Sequence, residues 1–210
     1  MKTKLTEKKY LEFFETYLFG DTSDPIISAI DFSYRDVCRT IHGIGKASDK
    51  DAILNPCKEV LYEEIERLIN TKKEYIDQEG VDKYIKHTFE RLIVYFDGGG
   101  VEFTIGQAQK WFNMTLKYLS ILAPNKTKNI YSFCHVPIDN YILNITKYNK
   151  FNTAWSRINN YDEYLDFQKW FRKKYSGIPL DEEFDLWIKT CKFERKKARE
   201  EKREKYFNTH

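Results

Sequence analysis

Residues 103–148 read FTIGQAQKWFNMTLKYLSILAPNKTKNIYSFCHVPIDNYILNITKY. Thr104 is an N-cap residue type ahead of an apolar stretch with helical spacing, and Pro124 cannot continue it, which predicts a helix over Gln107–Leu122. Pro137 then opens a second helix carrying Asp139, Ile142, Leu143 and Ile145. From Phe103 to Asn160 the chain holds seven basic residues and one acid, Asp139. A lysine near the start of one apolar helix, Lys110, and a lone aspartate opening the next are a candidate amine nucleophile and its carboxylate partner.

The same spacing continues toward the N-terminus. Thr6 is a candidate cap for a helix with Leu11, Phe14, Tyr17 and Leu18 on one face, ended by Gly20. Asp24-Pro25 starts a second helix lined by Ile26, Ile30, Tyr34, Val37 and Ile41, and Gly43 stops it. Asn55-Pro56 repeats that start signal for Val60, Leu61, Ile65 and Leu68. A further helix from about Val81 carries Ile85, Phe89, Leu92 and Phe96 as far as Asp97-Gly98-Gly99-Gly100. Toward the C-terminus, helices are predicted over roughly 162–175 and from Leu180 onward, with residues 192–210 a charged helical tail. Sustained strand alternation and internal repeats are both lacking. The expectation is an all-α, compact domain of about eight helices over 1–210, with sub-lobes 1–100 and 101–210.

At 210 residues, 41% hydrophobic and 16% aromatic, the chain can bury a substantial core. Its net charge of +3 is unevenly spread: residues 1–102 carry −5, 103–160 carry +6 and 161–210 carry +2. The basic middle points to a phosphate-rich partner, with Lys126, Lys128 and Lys150 as candidate phosphate contacts. Cys38, Cys57, Cys134 and Cys191 have no CxxC spacing, and His42, His87, His135 and His210 lack metal-ligand spacing. No metal site and no cofactor motif is legible, and the cysteines read as free thiols of a reducing cytoplasm. No apolar run has the length of a membrane span, and the N-terminus lacks a signal-peptide core, so a soluble, unprocessed monomer is expected.

Each candidate also has an ordinary reading. Lys110 fits a surface lysine, and its use as a nucleophile requires a fall from about 10.4 by roughly three pKa units, about 4 kcal/mol. Asp139 fits a helix cap, His135 a partly buried structural histidine, and Trp187 a core aromatic.

Taken together, QKWFNMTLKYL (109–119) and Val136-Pro137-Ile138-Asp139-Asn140-Tyr141-Ile142-Leu143 resemble the helix-hairpin-helix DNA glycosylases, and the long spacing between them is most similar to the archaeal 8-oxoguanine DNA glycosylase branch. Pro179-Leu180-Asp181-Glu182-Glu183-Phe184-Asp185-Leu186-Trp187 looks like that branch's P-x-L-D-x-x-L-W segment. The resemblance implies a DNA glycosylase for a damaged or modified base, an oxidised purine first, with AP lyase activity and double-stranded DNA as partner. Lys110 would attack C1′, Asp139 would assist, and Glu183, or else Asp181, would help hold the extruded base. Trp111, Met114, Phe133 and Trp187 are candidate apolar walls, and His135 a candidate contact to the site or to phosphate. Ile105-Gly106-Gln107 is a reduced form of the family's glycine hairpin, and Ile41–Lys46 looks like that hairpin but lies far upstream. Met114 stands where the branch carries an aromatic. The alternative is a non-enzymatic helical nucleic-acid or protein interaction module in which Lys110 only touches phosphate or solvent. The two differ in whether Lys110 and Asp139 converge in a pocket.

Overall fold

The computed structural model describes residues 7–208, and every regular element in that range is helical. The Thr6 cap and His210 lie outside the described residues. The elements are α1 (Glu7–Phe19), α2 (Pro25–Val37), α3 (Lys50–Ile69), α4 (Gln78–Gly98), α5 (Ile105–Leu122), α6 (Pro124–Thr127), α7 (Asn140–Thr146), α8 (Tyr161–Lys174) and α9 (Pro179–Asn208). Short 3₁₀ turns at Cys38–Thr40, Ile44–Lys46, Tyr131–Phe133 and Trp155–Arg157 join several of them. None of the described helices is long and apolar enough to cross a membrane.

Most local start signals act where they are read, but Pro137 does not open a helix: it lies in extended chain, and α7 begins only at Asn140 with Asp139 as its N-cap. Asp24 caps α2 by accepting from the amides of Ile26 and Ile27 at 2.9 and 3.2 Å, and Pro25 occupies the first turn. Thr104 forms a capping box with Gln107, each side chain accepting from the other's backbone amide. Asn55-Pro56, by contrast, is not a start. α3 begins at Lys50, capped by Asp49, and Pro56 lies inside the helix. Ile53, Leu54, Cys57 and Leu61 form one buried face across the proline, and that burial outweighs the one helical hydrogen bond Pro56 removes. Pro124 ends α5 and itself opens the four-residue α6.

Helix α5 is the axis of the molecule. Its most extensive neighbour is α2, with α4, α6, α8 and the Trp155–Arg157 turn around it. One contiguous apolar core runs from Ile26 to Leu180, so it crosses the glycine segment at residues 98–100. Its large members include Trp111, Phe89, Phe96, Phe112, Tyr164, Phe167 and Phe171, all fully buried. Phe96 stacks on Phe103 at 3.9 Å, which ties α4 to the approach into α5, and Gly100 makes the intervening turn at φ +70°.

The segment before α7 is extended and buried, and side chains satisfy its backbone. Gln168 on α8 binds both the amide and the carbonyl of Val136, at 2.9 Å each. Gln109 on α5 does the same for Ile138, at 3.0 and 2.8 Å. Arg172 donates to the carbonyls of Phe133 and Cys134. These bonds fix the chain immediately before Asp139 against the helix that carries Lys110.

Candidate functional site

An ordinary amphipathic helix buries one stripe; α5 buries every residue from Ile105 to Lys117. Most of its buried polar groups find partners, Asn113 Oδ1 excepted. Gln107 reaches the Thr40 carbonyl at 2.6 Å, Asn113 the Tyr164 hydroxyl at 3.0 Å, and Thr115 the Ser33 hydroxyl at 2.7 Å. Lys110 and Lys117, seven residues apart, emerge on one face two turns from each other. Both point into a cleft of about 600 Å³ between α5, α7, α9 and the end of α2.

In that cleft Lys110 Nζ donates to Asp139 Oδ2 at 2.7 Å, with the two side chains 7% and 18% exposed. Asp139 is the N-cap of α7, and its other oxygen, Oδ1, accepts from the Ile142 amide at 2.9 Å. Cap and ion pair thus use different oxygens of one carboxylate, which orients it on both sides.

A second pair lies two turns along. Lys117 Nζ donates to Glu183 Oε2 at 2.5 Å, and these side chains are 7% and 2% exposed. The ammonium also sits 4.4 Å from the ring centre of Phe184 and 5.9 Å from that of Trp187. Burial pushes the Glu183 carboxyl above its usual range, opposed by Lys117 and more weakly by Lys110. At the far end Tyr118 donates to Asp36 Oδ2 at 2.8 Å, and burial, reinforced by Asp36, holds the phenol well above its ordinary value.

Of the residues singled out from sequence, Lys110, Met114, Asp139, Glu183 and Trp187 line this cleft. Trp111 does not. It is fully buried one step round the helix, where its indole N–H donates to the Ile30 carbonyl at 3.1 Å and its ring packs on Tyr34. Phe133 is half-buried in a turn outside the cleft, packed against the core. His135 is fully buried between Tyr164 and Asp82, at 2.7 and 2.8 Å, too deep to meet DNA. Burial holds its imidazole below the ordinary value, with Asp82 opposing. Asp181 turns away and accepts from Tyr131 at 2.7 Å, so Glu183 is the acid facing the cleft. Lys126, Lys128 and Lys150 are exposed but line no part of it.

Lys117, Asp36, Arg39, Tyr118 and Trp155 also line the cleft and were not singled out for the site. The seven-residue spacing of Lys110 and Lys117 is the one sequence signal that marks any of them. Trp155 arrives there through a backbone contact: a Cβ on Gly106 would lie 1.9 Å from the Trp155 carbonyl oxygen, and the Gly106 amide donates to Ile158 at 2.8 Å. Among the described residues no cluster of His, Cys, Asp and Glu could hold a metal ion. Protein-family models, curated proteins and solved structures yield no match to this chain.

Proposed function

We propose that the protein is a DNA glycosylase with associated AP lyase activity, acting on a damaged or modified base. The observation that carries this reading is the Lys110–Asp139 contact at 2.7 Å inside a cleft of about 600 Å³. The cleft's volume is within the range of small-molecule sites, about 300–1,000 Å³. A base inside a duplex is out of reach of Lys110, so the nucleotide is extruded into the cleft. Met114 and Trp187 offer it apolar surface, and Glu183 with Lys117 offers charged hydrogen-bonding groups to its edge.

The chemistry follows from the pair. Lys110 first passes its ammonium proton to water, and the neutral amine then forms a bond from Nζ to C1′ as the glycosidic bond breaks. The base leaves with the bonding electrons and takes a proton at its departing nitrogen. Asp139 faces the sugar as positive charge develops there and stabilises it. Nζ then loses a proton, the C1′–O4′ bond opens with O4′ protonated, and an imine to Lys110 remains. Loss of a proton from C2′ expels the 3′ phosphate, which is the lyase step.

The test is excision and borohydride trapping on a panel of duplexes bearing oxidised, alkylated and deaminated bases. Excision of at least one lesion, lost in Lys110→Gln, is the expected result. No excision and no adduct from any member of the panel contradicts the proposal.

A further inference from the structure

Most of the charge lining the cleft is committed. Lys110 faces Asp139, Lys117 faces Glu183, and Asp36 accepts from Tyr118. Arg39 differs. It lines the same cleft from the Cys38–Thr40 turn, is exposed, and has no side-chain hydrogen bond or ion pair among the described residues.

A second cleft, polar and about 450 Å³, lies across a shared wall. Asp36 and Arg39 line the first cleft, whereas Thr40 and His42 line the second. Likewise Trp155 lines the first, while Ser156 and Arg157 line the second. Two turns, 38–42 and 155–157, therefore form a ridge between the clefts. Both are pinned to the first turn of α5: Thr40 accepts from Gln107 at 2.6 Å, and Ser156 accepts from Thr104 at 2.8 Å. Lys110 follows one turn later on the same helix. Arg157 is exposed and, like Arg39, without a side-chain partner among the described residues; Glu102 is the one acid lining the second cleft.

We propose that this ridge is the phosphate-binding site for the DNA strand that delivers a nucleotide to Lys110. Arg39 takes a phosphate at the mouth of the Lys110 cleft, and Arg157, which lines the second cleft together with His42, takes a neighbouring phosphate across the ridge. The inference rests on the glycosylase reading. Guanidinium groups match phosphate geometry with paired donors, and neither arginine gives up an existing ion pair to bind. Lys126, Lys128 and Lys150 line neither cleft, so the strand's path runs over α5's first turn and not over the lysine-bearing segments.

The experiment measures affinity for a duplex carrying a tetrahydrofuran abasic analogue between about 50 and 200 mM salt. Each phosphate that a variant no longer neutralises should shrink the log–log salt slope by about 0.9. Arg39→Gln and Arg157→Gln should each show that change with unaltered circular dichroism, and the double variant should show both. Lys126→Gln, Lys128→Gln and Lys150→Gln supply the competing path. If the wild-type protein binds and traps DNA, but the slope shrinks in the lysine variants and not in the arginine variants, the ridge is overturned while the glycosylase reading survives. If the wild-type protein binds no duplex at all, both fall.

Discussion

Asp139 makes two demands on one carboxylate. Oδ1 caps α7 and Oδ2 holds Lys110, so no single-acceptor side chain replaces it without loss. Asp139→Asn keeps the shape but offers one oxygen, which must serve either the cap or the lysine. Stability should fall by about 1–3 kcal/mol, because a buried donor is left unpaired whichever is chosen. Excision by the protein that remains folded should fall by at least about a hundredfold, the usual cost of removing electrostatic stabilisation from a developing charge. Urea melts and single-turnover excision, measured on the same preparation, separate the two effects. Equal activity per folded molecule would reduce Asp139 to a cap. At this scale the sequence marks types and not directions. Lys110 and Trp111 are neighbours in one motif, yet a step of about 100° separates a cleft residue from a core residue. Lys117 looks like any helix lysine until Glu183, 66 positions away, is brought against it.

Among the elements, α5 and the 134–139 segment act as one part. Gln109 adjoins Lys110, Ile138 adjoins Asp139, and the two hydrogen bonds between Gln109 and Ile138 set the register of the ion pair. Gln109→Met fills similar volume but orphans a buried amide and carbonyl. We expect a loss of about 1–3 kcal/mol in urea unfolding and a slower trapping step than the melt alone explains. Unchanged trapping in Gln109→Met would mean that α7 holds Asp139 in place without the clamp. Helix starts such as Asp24-Pro25 and Thr104 are legible because capping is settled within four residues. Asn55-Pro56 misleads for the same reason. It is a valid local signal, and the apolar face of α3 that overrides it lies in the tertiary packing. The Gln109 clamp has no sequence signature, since a glutamine bonding a distant extended backbone looks like a glutamine on a helix surface.

For the whole molecule, the all-α class follows from helical spacing of apolar residues throughout the chain, and every regular element among the described residues is helical. What spacing leaves open is which polar residues the core absorbs. His135 is one of them, fully buried against Asp82 and Tyr164. Because burial lowers its proton affinity, the unfolded chain binds a proton that the folded protein resists. His135 therefore supports stability fully above its unfolded pKa of about 6.5, and that support is lost as pH falls below it. Between about pH 7.5 and 5.5, wild-type stability should drop more than that of His135→Gln, which cannot titrate; parallel curves would show that another group sets the acid limit.

The central claim is that Lys110 is the amine that bonds to the sugar, and mapping the borohydride-trapped adduct tests it most directly. Lys110 and Lys117 share the cleft, each with its own carboxylate, so the protein contains its own competing nucleophile. Peptide mass spectrometry of the trapped complex should place the modified sugar on Lys110. Lys110→Gln should abolish the adduct while duplex binding persists, and Lys117→Gln should still form it. An adduct on Lys117, or undiminished trapping by Lys110→Gln, would contradict the assignment of Lys110 as the nucleophile.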